Sequence, residues 1–389
     1  MRYRDSIFGQ LLKPLSRRVI SAIAAAHGGE AYDKSFRTWD HLIALVYAQL
    51  SGARSLRALE AGWNANSHHH YHLGTGRLAR ATLADASRRR PASVFAEVFS
   101  RLSAEADRGF RKEGAELVRL IDSSPIPLGE AVAWRAFNGR IKGGKLHMVY
   151  EPGCDRPCEI EITPANVNDV EIGKRAVILA GMTYVFDKGY CSYAWWSAIH
   201  AGGALFVTRL KSNARCERLA RRKLGRGERQ GDGFEVVEDA DIRLVYARDP
   251  GLDLPVRRIR VRRDTGEELV LVTNDLDRPA AAIARLYRTR WQIELLFRWI
   301  KQNLNVRAFL GRSENAIKLQ ILAAMTVYLL LRLAARASRS THLAIRFAEL
   351  VGAALFVRKP LSRIDKPPEV NASKAASRPR TEQLELGYP

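Results

Sequence analysis

The chain has 389 residues, a hydrophobic fraction of 47% and a formal net charge of +22. That length accommodates two or three domains with a sizeable core, and the composition is globular rather than disordered or fibrous. So large an excess of cations, spread along the whole chain, calls for a polyanionic partner. Nucleic acid is the simplest, with an acidic membrane surface as the lesser alternative. The first residues carry cations but no continuous apolar run. The most apolar stretch, 321–333, contains Arg332 and is short for a bilayer, so a core helix and no membrane partner are expected there. The four cysteines form no C-x-x-C pair, which argues against zinc and fits a reducing cytoplasm.

Residues 1–110 read as a helical domain that binds DNA. Phe8, Leu11, Leu12, Leu15 and Val19 repeat at helical spacing, 39–50 gives a second helix, and Ser55 to Trp63 a third. His68, His69, His70 and His72 follow. A contiguous run converges poorly on one ion, so a loop or a DNA-facing edge is expected rather than a metal site. The segment 82–90 opens on Thr82 as a candidate N-cap and ends in Arg88, Arg89 and Arg90 before Pro91. Small helical modules with such clusters dock in DNA grooves, and a solvated basic face explains the same cluster.

From about 115 the pattern changes. Residues 117–122 form an apolar strand ending on Asp122, with Ser123-Ser124-Pro125 as a break. Strands are expected at 145–150 and 159–163, then a helix over 169–179. A second apolar strand, 183–187, ends on Asp187. A helix at 193–200 and a strand at 204–210 follow. That order predicts a mixed α/β sheet flanked by helices, with both acids at strand ends, where open sheets present ligands. Residues 211–275 read as a β-rich insertion. It is entered through a basic connector, 209–229, with nine Lys or Arg against two Glu. From 358 a basic tail poor in large apolar groups is expected to be disordered.

The stretch 286–303 has no Gly or Pro and reads as one amphipathic helix. At about 100° per residue, Tyr287, Arg290, Glu294 and Lys301 fall at roughly 0, −60, −20 and −40°. Ile293, Leu296, Phe297 and Ile300 occupy much of the remaining circumference, so the helix is expected to be well buried. Buried charge is expensive unless paired or ligated. Either the stripe holds surface ion pairs such as Arg290–Glu294, or it belongs to a site. Asp122, Asp187 and Glu294 lie 65 and 107 residues apart, so only a fold brings them together. Three hard oxygen donors of this kind suit Mg²⁺ or Mn²⁺, and two such ions activate a water or 3′-hydroxyl. Arg290 and Lys301 would then grip a phosphate, with Tyr287 adding a hydrogen bond.

The spacing Tyr287-x2-Arg290-x3-Glu294-x6-Lys301 resembles the YREK signature of the DDE transposases of the fourth insertion-sequence family. Asp122 in Leu-Ile-Asp-Ser-Ser-Pro and Asp187 in Val-Phe-Asp-Lys-Gly-Tyr resemble that family's first and second acids. The resemblance covers about 115–335. It implies a ribonuclease-H-like core formed by 111–210 and 276–340, interrupted by the β-rich insertion 211–275, with catalytic and metal-binding roles for Asp122, Asp187 and Glu294. It further implies Mg²⁺-dependent cleavage at terminal inverted repeats in double-stranded DNA, transfer of the 3′-hydroxyl into target DNA, and a dimer in the synaptic complex. Similar transposases pass through a hairpin helped by a Trp in the insertion, but 211–275 has no Trp. A structure-selective nuclease on the same fold and an inactive DNA-binding relic are the alternatives.

Overall fold

The computed structural model describes residues 5–30, 35–110, 116–128, 136–137, 142–225, 230–231, 233–245, 256–304, 306 and 308–366. Its centre is a mixed sheet of eleven strands, most of them in one row. The strand Val118–Pro127 (β1) lies between the antiparallel Lys142–Glu151 (β3) and the parallel Thr183–Phe186 (β5), with Ala136–Phe137 (β2) beyond β3. Leu205–Arg209 (β6) continues the parallel side. Arg156–Pro164 (β4) pairs with β3 off the main row.

Side chains along a strand alternate between the two faces. Leu120 and Val185 pack into one apolar cluster, and Ile121 and Phe186 into another on the opposite face. The second face is covered by the helix Tyr193–Ala201, whose Trp195 and Trp196 are buried against the sheet. By the same alternation Asp122 and Asp187 fall on the face of Leu120 and Val185.

The strands Arg215–Arg221 (β7), Gln230–Gly231 (β8), Phe234–Val245 (β9), Val256–Arg263 (β10) and Glu268–Thr273 (β11) carry on from β6 in the same sheet. The β-rich stretch therefore extends the core sheet at its edge. Two sequence expectations change here. The basic connector contains the strand β7, charged and mostly exposed, as suits a sheet edge. Strands at 234–237 and 241–247 are the pattern the sequence suggests; over the described residues the single strand β9 runs through 238–240 to Val245 because its central acids are answered across the ladder. Arg257 forks onto Asp239 at 2.8 and 2.6 Å, both buried, and Arg258 reaches Glu238 at 3.0 Å.

The helical half comprises seven α-helices among the described residues, ending in Ala92–Phe110 (α7). The expected first helix is two, Ile7–Leu11 and Arg17–Ala26, with Pro14 between them and Ser16 capping the second. Thr38–Ser51 (α3) and Leu56–Ala65 match the sequence reading. The segment expected at 82–90 is the helix Arg80–Arg89 (α6), and Thr82 is not its N-cap. The helix expected over 169–179 closes after one turn, Asp169–Gly173 (α8). There a Cβ on Gly173 would lie 2.7 Å from the Tyr190 ring.

Both halves meet on Glu314–Ala337 (α12), which packs against α7 and α3. Ser313 caps its start, and it is apolar nearly all round, as a helix enclosed on every side must be. It is long and apolar enough to cross a membrane by composition, but 83% of that window is buried inside the protein. Each fully buried Leu or Ile here contributes about 1.5–3 kcal/mol. The tail expected from 358 is ordered at its start. Gln10 donates to the Lys359 carbonyl at 2.7 Å, and a short turn forms at Leu361–Arg363. Residues 367–389 lie outside the described residues.

Candidate active site

The stretch 286–303 is two helices rather than one, Ala280–Arg288 (α10) and Trp291–Asn303 (α11). Between them the backbone tightens. The N–H groups of Thr289, Arg290, Gln292 and Ile293 donate three residues back, to Leu286, Tyr287, Thr289 and Arg290. Thr289 Oγ1 also donates to the Leu286 carbonyl at 2.6 Å, a competitor for helical hydrogen bonding that an amphipathicity count does not see. Because the joint stays tight, Tyr287 at the end of α10 and Arg290 at the start of α11 still face the same strands.

Those strands carry the two aspartates. The parallel ladder between β1 and β5 ends at the pair Ile121–Phe186. Asp122 and Asp187 are the next residue on each strand, side by side at roughly the 4.8 Å spacing of neighbouring strands. Asp122 is not at a strand end, because β1 runs on to Pro127 beside β3. Beyond Ile121 that edge of β1 is no longer paired with β5, so Pro125 is tolerated.

The helices close over this pair. Arg290 Nη1 lies 3.2 Å from Asp122 Oδ2, and its Nη2 2.6 Å from Glu294 Oε1. Tyr287 donates to Asp187 Oδ1 at 3.2 Å. Asp122 and Arg290 are 18% and 17% exposed at their side chains, and Glu294 is 30%. Lys301 sits half-buried about two turns beyond Glu294 on the same face of α11. The structure thus brings together the three acids with Tyr287 and Arg290, and leaves Lys301 further along the helix.

The electrostatics follow from this crowding. Burial pushes the Asp122 carboxyl up to about 6; the Ser123 amide, donating at 2.8 Å, and Arg290 pull it down, while Glu294 and Asp187 push it up. Burial raises the Tyr287 phenol, which stays protonated and a donor. Among the described residues no three His, Cys, Asp or Glu side chains are arranged to hold a metal as they stand. The donor set nonetheless fits a hard divalent cation. It offers carboxylate oxygens, with a burial-raised acid whose charged form a cation would favour and a guanidinium standing in that cation's place.

Several residues at the site escaped the sequence reading. Ser123 holds Asp122 through its amide and donates its hydroxyl to Asp169 at 2.8 Å; Lys145 reaches the same oxygen at 2.8 Å. Arg209 ends β6 on the acids' face, and its charge is felt at Tyr287. Only Ser123 had a local signal, a hydroxyl residue directly after an acid. The other readings of basic and aromatic residues fare variously. Arg88 and Arg89 pair with Asp85 on the surface, while Arg90 is buried and donates to the carbonyls of Gly29 and Phe36. His70 stacks on Trp63 and His69 on Phe356, so the histidine run packs rather than converging on an ion. Trp195 and Trp196 are core, whereas Trp291 is half-exposed with Arg298 over its ring.

The family model described as "Transposase DDE domain" matches residues 113–330, which span the sheet, both aspartates and α10–α12. A second model, a domain of unknown function, matches residues 3–76. The chain is 50% identical over 306 residues to "Putative transposase y4zB" of Sinorhizobium fredii, covering 79% of this chain and 85% of that one. It is 26% identical to "Probable transposase for insertion sequence element IS5377" of Geobacillus stearothermophilus, over 72% of this chain and 73% of that one. The ribonuclease-H-like sheet and its acids, this match and these relatives agree: the chain is a transposase of the DDE family.

Proposed function

We propose that the protein cuts and joins the ends of an insertion sequence by metal-dependent phosphodiester hydrolysis followed by 3′-hydroxyl strand transfer. Asp122, Asp187 and Glu294 serve as the catalytic acids and as ligands of Mg²⁺, or of Mn²⁺ in its place, two ions in all. When bound, such ions activate the attacking oxygen and stabilise the leaving one. Arg290 holds a phosphate next to the scissile bond through its planar fork, Lys301 adds a point charge, and Tyr287 donates a hydrogen bond. The carrying observation is the convergence of three acids from two strands and a helix on one face, with the Asp122 carboxyl raised by burial and pushed further by Glu294 and Asp187. Acids held apart in sequence and crowded in space are unfavourable unless a cation repays the repulsion.

The partners in this reading are double-stranded DNA with terminal inverted repeats, target DNA, and a second copy of the chain in a dimeric synaptic complex. The setting is the cytoplasm, at the nucleoid. The helical region 1–110 binds DNA, 111–210 and 276–340 carry the chemistry, and 211–275 extends its sheet. The test uses the purified protein with Mg²⁺ and the DNA that flanks its gene. Glu294→Gln is expected to retain binding to the repeat and to lose cleavage by at least 10²-fold, on the scale of one catalytic electrostatic contact. Cleavage at the wild-type rate would remove Glu294 from the site. Cutting without joining would favour a nuclease, and binding without cutting by the wild type an inactive relic.

A further inference from the structure

Arg290 has two competing sets of partners. In this structure its two terminal nitrogens bridge Asp122 and Glu294. Its Nε is buried without a hydrogen-bond partner, so the bridging pose leaves one donor unsatisfied. The residue sits at the tight joint between α10 and α11, where its side chain leaves the backbone at the seam rather than from mid-helix. A guanidinium cannot shed its proton, so on Asp122 Oδ2 and Glu294 Oε1 it competes with a divalent cation for the same carboxylates and is repelled by it at close range. It is, however, shaped for a phosphate, which takes a bidentate fork and would satisfy more of its donors.

We propose that Arg290 is a resident counter-ion that exchanges the acids for a DNA phosphate. This makes divalent-metal binding and DNA-end binding mutually reinforcing. Without DNA, the guanidinium neutralises Asp122 and Glu294 and keeps cations weakly bound. A phosphate arriving beside α11 draws Arg290 away and frees the carboxylates; a cation arriving first repels Arg290 towards the phosphate. Such coupling is reciprocal and typically amounts to about 5–150-fold in affinity. Its consequence is a protein that does not assemble its metal site away from DNA. The inference rests on Asp122 and Glu294 being metal ligands, as proposed above.

The experiment is Mn²⁺ binding to the full chain, followed by electron paramagnetic resonance of free Mn²⁺, with and without a duplex carrying the repeat end. The DNA alone is titrated to subtract its own uptake. In the free protein Arg290→Ala and Arg290→Gln are expected to bind Mn²⁺ about 5-fold or more tightly than wild type. Lys301→Ala, which removes a cation further along the helix, should change binding less. The duplex should tighten Mn²⁺ binding in the wild type by about 5-fold or more and in the Arg290 variants by clearly less. Arg290→Lys, which keeps a charge without the fork, covers the case in which the shorter side chains fail to fold. It should retain weak Mn²⁺ binding but lose part of the coupling. Equal affinity in wild type and Arg290→Ala, or equal tightening by DNA, would overturn the exchange while leaving the metal site standing if Asp122→Ala still abolishes binding. Absence of Mn²⁺ binding in every variant, with or without DNA, would overturn the exchange and the metal reading together.

Discussion

Asp122 is where the strain of the site is concentrated. Its carboxyl is raised to about 6 in the fold, above the range near 4 of an unfolded chain. A group raised by folding favours the fold only while protonated. Its contribution is complete below about 4 and is lost as pH rises through about 6. Asp122→Asn removes that loss. Thermal unfolding of the metal-free protein should therefore show the Asn variant gaining on wild type between pH 4.5 and 7, and Mn²⁺ should close the gap by stabilising only wild type. A gap independent of pH would mean that the carboxylate is not held under this pressure. The residues with this much at stake were legible because acids directly after apolar strand runs and a charged stripe on an apolar helix are local anomalies. Asp169 and Lys145, which fix the backbone behind Asp122, gave no such signal. Asp169 pairs with Lys145 across 24 residues and accepts from Ser123 across 46, and in sequence both look like ordinary surface charges.

Among the elements, periodicity located most helices and strands but misjudged how they end. The joint at Thr289 was invisible to an angular count because every residue there keeps helical torsions while the hydrogen bonds shift to a tighter pattern. In sequence Glu238, Asp239 and Asp241 resemble turn formers that would interrupt β9; in the fold Arg257, Arg258 and Arg222 lie opposite and the strand continues. The one-turn helix α8 ends where the Tyr190 ring needs the space of a missing side chain. Gly173→Ala would bring a Cβ to 2.7 Å from that ring. Overpacking of this kind costs about 1–3 kcal/mol, so the melting temperature should fall by several degrees. An unchanged melting temperature would show that Tyr190 gives way freely.

On the scale of the whole molecule, the helical half and the sheet do not close separately. One apolar cluster runs from Ile7 through α3, α7 and α12 to Ile364. Asn315, just inside α12, donates to the carbonyls of Ser87 and Arg90 at 3.0 and 2.7 Å and accepts from the Ala92 amide at 3.2 Å. Composition suggested a boundary near 110 because the pattern changes from helical to β there. It could not show that a helix 200 residues later supplies the missing wall. A fragment ending at residue 110 is expected to retain helical circular dichroism but to melt without a cooperative transition. A sharp two-state melt would show that the half stands alone. Binding of the full chain to its repeat should fall steeply between low and physiological salt, given a net charge of +22. A flat salt response would contradict phosphate-led recognition.

The shared wall of α12 also bears on how such proteins diverge. A recombination event near residue 110 that joined the first part of one gene to the remainder of another would set a foreign helix against α3 and α7 and mismatch the Asn315 clasp. Exchange of whole modules is thereby penalised at the level of folding. Substitutions on the outer surface of the helical half leave this seam intact.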